Sequence, residues 1–201
     1  AQQLAEQLKN ETFHVMEIKQ SRKTRKAPLP FTTSTLQQEA SRQLNFSTQK
    51  TMRIAQQLYE GIEIKGNGTV GLITYLRTDS TRIAAEADTA ARTYIASAYG
   101  EQYVSKSTGP VKQKENVQDA HEAIRPSDIA RTPSVMKDSL SRDQLRLYQL
   151  IWKRFAASRM QDAVFSNTNV RLNAGSAVFS AAAGTMLFDG FLCLGSTEEE
   201  K

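Results

Sequence analysis

The spacing of apolar residues changes along this chain, and this change constrains the fold more than any other feature. In the middle, apolar residues recur every three or four positions, as at Leu147, Ile151 and Phe155. That period is typical of amphipathic helices. From Val164 onward, and over residues 13–20, the pattern is instead strand-like, as in half-buried β-strands. The middle is therefore predicted to be helical and both ends to be β-rich.

This order predicts an α+β fold in which one domain interrupts another. Pro28 and Pro30 mark a linker, since proline punctuates regular structure. We predict a mainly helical domain at residues 30–161. The flanking segments, 1–29 and 162–201, are predicted to form one discontinuous β-rich domain.

Local signals predict individual elements. The predicted helices cover residues 1–10, 33–44 and 48–59, a stretch that starts at Ser80 or Thr81, a turn at 119–125, and a helix opened by a capping box of Ser141 and Gln144. The predicted strands include a hairpin about Gly66-Asn67-Gly68, residues 177–180 and residues 186–194. Residues 105–118 are predicted to be a loop.

Composition excludes some classes of protein and favours others weakly. The formal net charge is +5 and the pI about 9.4, which hints at an anionic partner. Cys193 is the single cysteine, so no intrachain disulfide forms, which fits a reducing cytosol. No apolar run is long enough for a membrane span, and no phosphate-binding glycine motif for nucleotide hydrolysis is present.

Chemistry is first suggested by Tyr75, Arg77 and Asp79, which follow one another at every second position. A tyrosine hydroxyl can attack a phosphodiester, but its ordinary pKa of about 10 means that another group must take the proton. A guanidinium such as that of Arg77 can donate two parallel hydrogen bonds to a phosphate and stabilise negative charge on the phosphate oxygens. Asp79 could orient the arginine or cap the next helix. The alternative is a tyrosine that only packs at a strand end.

A second candidate pair is His121 and Arg125, four positions apart. On a helix, both side chains would share one face, where histidine could relay a proton and arginine could bind phosphate. The alternative is a surface histidine beside an arginine that bonds a nearby carbonyl. With only His14 and Cys193 besides His121, a zinc site is not expected.

Two further stretches could contact phosphate. Residues 22–26 are mostly basic, as in loops that bind phosphate backbones through charge, although a solvated loop is the simpler interpretation. Ser34 and Thr35 lie where a helix is predicted to start, and hydroxyls with free N–H groups at a helix N-terminus bind anions. The alternative is that they only cap the helix.

Taken together, these stretches resemble the type IA DNA topoisomerases, and bacterial DNA topoisomerase I in particular. The resemblance extends from about residue 13 to 194 and rests on blocks in matching order. The blocks are Pro-Phe-Thr-Thr-Ser-Thr-Leu-Gln-Gln-Glu at 30–39, Thr-Met-Arg-Ile-Ala-Gln-Gln-Leu-Tyr-Glu at 51–60, Gly-Leu-Ile-Thr-Tyr-Leu-Arg-Thr-Asp-Ser-Thr at 71–81, Ala-His-Glu-Ala-Ile-Arg-Pro-Ser at 120–127 and Leu-Tyr-Gln-Leu-Ile-Trp at 147–152.

The resemblance implies roles for individual residues. Tyr75 would attack one DNA strand and become joined to its 5′ phosphate, with Arg77 as partner in the transition state and His121 near the cleaved phosphate. The remaining candidates for DNA or phosphate contacts are Arg125, Thr78, Asp79, Ser34 and Thr35. The β-rich segments would form the family's arch domain, which lets the tyrosine domain swing open.

The resemblance also implies that this chain is one part of a larger enzyme. The family passes one strand through a break in the other and reseals it without ATP, which relaxes negative supercoils. Its Mg²⁺-binding domain would lie upstream, and this domain, most of the base domain and any C-terminal zinc modules would be outside this chain, so no metal is expected on the chain itself. We expect a bacterial, cytoplasmic, nucleoid-associated monomer that binds single-stranded DNA, and a 201-residue piece that does not relax plasmids alone.

The competing hypotheses are a non-catalytic module that binds single-stranded nucleic acid, a structural domain whose charge is incidental, and a tyrosine recombinase. The last would have arginines and histidines dispersed around its tyrosine, which this local motif does not resemble.

Overall fold

The computed structural model describes residues 8–64, 66–106 and 121–195. Its helices and antiparallel strands confirm the predicted α+β class. The described residues divide into two compact units. The β unit lies within Ala1–Lys26 and Asp162–Asp189, and the helical unit within Ala27–Gln161 and Gly190–Lys201. The helix predicted over 1–10 and the loop over 105–118 fall mainly outside the described residues.

The elements follow in this order. The helices are α1 (Thr33–Leu44), α2 (Thr48–Glu60), α3 (Ala85–Tyr99), α4 (Pro133–Met136) and α5 (Arg142–Ser158). The strands are β1 (His14–Arg25), β2 (Ile62–Ile64), β3 (Gly68–Val70), β4 (Ala163–Ala174) and β5 (Ala177–Phe188). Short 3-10 turns cover Glu101–Tyr103 and Gly190–Leu194.

The β unit is an antiparallel sheet in the order β1-β4-β5. The strand β1 is longer than predicted, because its pairing with β4 continues to Arg25 opposite Ala163. The basic run at 22–26 therefore lies largely in a strand and is not the linker that its composition suggested. Residues 186–194 are not one strand either: β5 ends at Phe188, and Gly190 turns with φ of 50° into the 3-10 turn.

The helical unit is built around the apolar faces of α1, α2 and α5. Leu36 from α1, Leu58 from α2 and Ile151 from α5 are fully buried members of one cluster. The predicted capping box opens α5, since the Ser141 and Gln144 side chains each bond the other's backbone N–H. The hairpin of β2 and β3 also forms where it was predicted.

The helix α1 begins at Thr33 as predicted, but its cap and the start of α3 differ from the prediction. The N-cap of α1 is Thr32 rather than Ser34 or Thr35, and Thr35 completes a capping box with it. The third helix begins at Ala85, not at Ser80 or Thr81. The Ser80 hydroxyl instead accepts a bond from Arg82 N at 3.2 Å, which stabilises a non-helical turn.

Candidate active site

Residues 74–80 form an irregular segment between the β2–β3 hairpin and α3, with bends at Thr74 and Leu76. Side chains alternate along it: Leu76, Thr78 and Ser80 are buried, while Tyr75 and Arg77 are exposed. Tyr75 is 45% exposed, although aromatic rings of this size are usually more covered. Asp79 is exposed as well, so the exposed side chains of the segment fall at every second position and include both the tyrosine and the arginine.

The Thr74 hydroxyl pins the segment on one side of Tyr75. It donates to Ala123 O at 2.7 Å and accepts from Arg125 N at 3.0 Å. The backbones of the two residues are bonded directly as well, since Thr74 N donates to Arg125 O at 2.9 Å. The block at 120–127 is thereby bound to the residue that precedes the tyrosine.

The Thr33 hydroxyl pins the other side. It donates to Leu76 O at 2.8 Å and to Thr78 O at 3.0 Å. It also accepts from Thr78 N at 2.8 Å, and Thr33 N donates to Thr78 O at 2.9 Å. The first residue of α1 therefore fixes the backbone that carries Arg77.

A third set of contacts joins the 121–127 segment to Leu72 and to the residues before α1, and joins those residues to α5. Ile124 N donates to Phe31 O at 2.8 Å, and Ser127 N donates to Leu72 O at 2.9 Å. Arg154 Nε donates to Leu29 O at 2.6 Å, and its guanidinium lies 4.6 Å from the centre of the Phe31 ring. Three segments distant in sequence, 29–35, 71–80 and 121–127, thus form one assembly around the tyrosine.

Tyr75 also contacts the end of α2. Its ring meets that of Tyr59 edge-on, with centroids 5.5 Å apart and an angle of 65° between the planes. Gly71 permits this approach, because a Cβ there would lie only 2.7 Å from Tyr59 O. The contact restricts the orientation of the Tyr75 ring while its face stays accessible.

The segment that contains His121 and Arg125 is extended, not the helical turn that was predicted. Its backbone groups bond Phe31 and Thr74, and these long-range partners take the place of bonds within a helical turn. His121 is exposed at the start of the described segment. The two side chains therefore do not share a helix face.

Arg125 is held by its own neighbours. Its Nε and Nη2 donate to Glu122 Oε2 at 3.1 and 2.6 Å, and its Nη1 donates to Pro126 O at 3.0 Å. Both side chains of the pair are largely covered, at 12% and 18% exposure. The guanidinium is thus fixed in place by an ion pair rather than pointing freely into solvent.

The other predicted phosphate contacts differ in their availability. Ser34 and Asp79 are exposed. The Thr35 hydroxyl accepts from Thr32 N at 2.9 Å as part of the cap. Thr78 is buried, and its hydroxyl accepts from Ser80 N at 3.1 Å, so this side chain is engaged within the protein.

Sequence reasoning missed Thr33, Thr74, Tyr59 and Glu122. No local signal distinguishes Thr33 from the other hydroxyl residues of the 32–35 run, because its partners lie more than forty residues away. The alternation along residues 74–80 was a usable signal for which side chains are exposed and which are buried.

Among the described residues, no three His, Cys, Asp or Glu side chains are grouped so that they could hold a metal ion. The described helices include none with the length and apolar character needed to cross a membrane.

Two comparisons with known proteins place this arrangement in a family. A family model described as DNA topoisomerase matches residues 1–201. The structure is also similar to full-length topoisomerase I from Thermotoga maritima, with a TM-score of 0.83 and 42% sequence identity. The match covers 98% of this chain and 32% of that one, so the chain spans about a third of that relative's length. The chain belongs to the bacterial DNA topoisomerase I family of type IA enzymes.

Proposed function

We propose that Tyr75 is the nucleophile that cleaves one strand of DNA. Its phenolic oxygen forms a bond to a backbone phosphorus, the bond from that phosphorus to the 3′ oxygen breaks, and the 3′ oxygen leaves with a proton. The strand is then held through a 5′-phosphotyrosine link, and the reverse reaction reseals it. The observation that carries the proposal is the exposure of Tyr75 on a backbone pinned by Thr74 and Thr33.

Arg77 is proposed to stabilise charge on the phosphate during this transfer. The Cα atoms of residues two apart lie at most about 7 Å from each other, a distance that a guanidinium and a phenol can bridge through one phosphate between them. Because the backbone between them is fixed by Thr33, little ordering is needed at the moment of reaction.

His121 and Arg125 are proposed to serve the same phosphate. Both lie in the segment bonded to Thr74, next to Tyr75. His121 is the candidate for moving the proton between Tyr75 and the 3′ oxygen. Arg125 is the candidate for phosphate binding, with Glu122 competing for its guanidinium and setting its direction.

The other DNA contacts are proposed to lie along the same surface. Ser34 and Asp79 are exposed and would contact the strand directly. Thr35 and Thr78 are engaged inside the protein, so their contribution would come from shaping the start of α1 and the 74–80 segment.

The whole enzyme is proposed to pass one strand through the break and so relax negative supercoils. Mg²⁺ would come from a domain outside this chain, which by itself would bind single-stranded DNA weakly and not relax plasmids. The whole protein is proposed to act as a cytoplasmic monomer at bacterial DNA. The opening of the tyrosine domain would be accommodated by the β unit in the role of an arch.

The test is covalent trapping in the full-length enzyme. We expect denaturation during turnover to leave DNA attached to the wild type and to Tyr59→Phe, which keeps the ring against Tyr75. Tyr75→Phe should leave no adduct, because it lacks the attacking oxygen. An adduct in Tyr75→Phe would disprove the assignment, and its absence in the wild type would favour a non-catalytic binding module.

A further inference from the structure

A cavity lies in the helical unit, and none of its lining residues belongs to the assembly around Tyr75. Its volume is about 250 Å³, the space of about eight water molecules. It is bordered by the last turns of α3, the start of α4 and the middle of α5. The side chains that matter below are Tyr94, Tyr99, Ser134, Gln149, Trp152 and Lys153.

Aromatic rings form one side of this cavity and are held in place. Tyr94 meets Trp152 edge-on, with centroids 5.7 Å apart and an angle of 88°. The indole cannot turn freely, because Trp152 Nε1 donates to Ile129 O at 2.9 Å. Fixed aromatic faces of this kind stack on nucleobases of any sequence.

Several polar side chains of the cavity have no polar partner among the described residues. Across the described ranges, the side chains of Tyr94, Tyr99, Gln149 and Lys153 make no hydrogen bond or ion pair. Burial raises the pKa of both tyrosine hydroxyls, so they are protonated donors at neutral pH. The described lining residues include Lys153 and no carboxylate, and the Lys153 ammonium supplies a positive charge that attracts an anion.

We propose that this cavity binds one unpaired nucleotide of single-stranded DNA, with the base against the tyrosine rings and a phosphate at Lys153. The side-chain amide of Gln149 would bond the edge of the base. The site shares no residue with the proposed active site, so it would hold the strand at a point away from the cleaved bond. Such a contact gives affinity without demanding a base sequence.

Trp152 makes the proposal measurable, because it is the only tryptophan of the chain and lies in the cavity wall. We expect thymidine 5′-monophosphate to quench its fluorescence saturably. Thymidine and sodium phosphate, each alone, should bind more weakly than the nucleotide. The affinity should fall with salt with a logarithmic slope of about −0.7, the value for one phosphate contact of a single strand.

Variants separate the two halves of the site. Tyr99→Ala should weaken the nucleotide by roughly tenfold, in line with the loss of one stacking face, while Tyr99→Phe should retain most of the affinity. Lys153→Gln should abolish the salt dependence. Lys137→Gln, an exposed lysine of the same unit, is the matched control, and Tyr75→Phe should bind like the wild type. Circular dichroism and thermal melting confirm that each variant is folded.

Three outcomes would overturn the proposal. One is quenching by phosphate alone that equals quenching by the nucleotide, since this would indicate a simple anion site. Another is an equal effect of Lys137→Gln and Lys153→Gln. The third is a folded wild type whose fluorescence the nucleotide leaves unchanged. Because Tyr75→Phe is expected to bind normally, a failure here is distinguishable from a failure of the proposed nucleophile.

Discussion

Replacing Thr33 with valine should loosen the backbone that carries Tyr75 and Arg77. Valine has nearly the same shape as threonine but lacks the hydroxyl, so packing is kept while the polar contacts are lost. Leu76 O and Thr78 N–H would lose their bonds to this hydroxyl. Thr78 O would keep its bond from Thr33 N at 2.9 Å. Two backbone groups are therefore left without their partner.

The magnitude follows from the partial burial of these groups. A buried polar group left without a partner costs about 1–3 kcal/mol, and water can reach a partly buried one. We expect a total loss of about 2 kcal/mol in the free energy of unfolding. For a unit of this size, that loss lowers the melting temperature by about 4–8 °C.

Calorimetry of the chain measures the stability, and covalent trapping in the full-length enzyme measures the chemistry. The control for stability is Ser34→Ala, whose exposed hydroxyl contacts only Thr32 Oγ1 at 3.2 Å among the described residues. We expect Thr33→Val to melt earlier than this control and to form less adduct than the wild type, and Thr33→Ser to stay close to the wild type in both measurements. Thr33→Val that melts with the control would refute the pinning role of the hydroxyl.

Three further predictions concern the surroundings of the site. Leu76→Ala should cost about 2–5 kcal/mol of unfolding free energy in a urea titration, because Leu76 is 1% exposed; a loss similar to that of an exposed leucine would contradict this packing. Gly71→Ala should lower both the melting temperature and the adduct yield, since its Cβ would lie 2.7 Å from a backbone oxygen of α2; a neutral effect would show that the backbone yields easily. The third prediction concerns the pH dependence of stability. Burial would raise the pKa of Asp88, but hydrogen bonds from Arg159 and Arg92 hold that pKa below its ordinary 3.8. The ionised Asp88 carboxylate therefore contributes its full stabilisation at pH values well above 3.8. This contribution is lost as the pH falls through the lower pKa of the folded state. The gap in melting temperature between the wild type and Asp88→Asn should be wide at pH 6 and should narrow progressively as the pH falls below about 4, and a gap independent of pH would contradict this.

Much of the helical unit was predictable because its signals are local. The capping box at Ser141 and the Asn67-Gly68 turn each specify their element within a few residues, and both formed as predicted. The β-rich character of both ends followed from alternation for the same reason.

The conformation of the 121–127 segment was not predictable from local signals. A histidine and an arginine four apart suggest a helix, but Phe31 and Thr74 offer backbone bonds from distant parts of the chain. The same holds for the start of α1, where several adjacent hydroxyl residues could cap the helix and tertiary bonds to Thr33 select Thr32. Tyr75 and Arg77 were candidates from their residue types and spacing, the family resemblance strengthened them, and their common exposure came from the structure.

The alternation along residues 74–80 separates two kinds of constraint within one short stretch of sequence. Substitutions at Tyr75 or Arg77 alter what the surface does and leave the interior intact, whereas substitutions at Leu76 or Thr78 disturb the interior first. Inserting or deleting one residue here would exchange the two rows, burying the phenol and exposing the leucine. This stretch should therefore accept replacements on its outer row without unfolding, yet accept no change in its length.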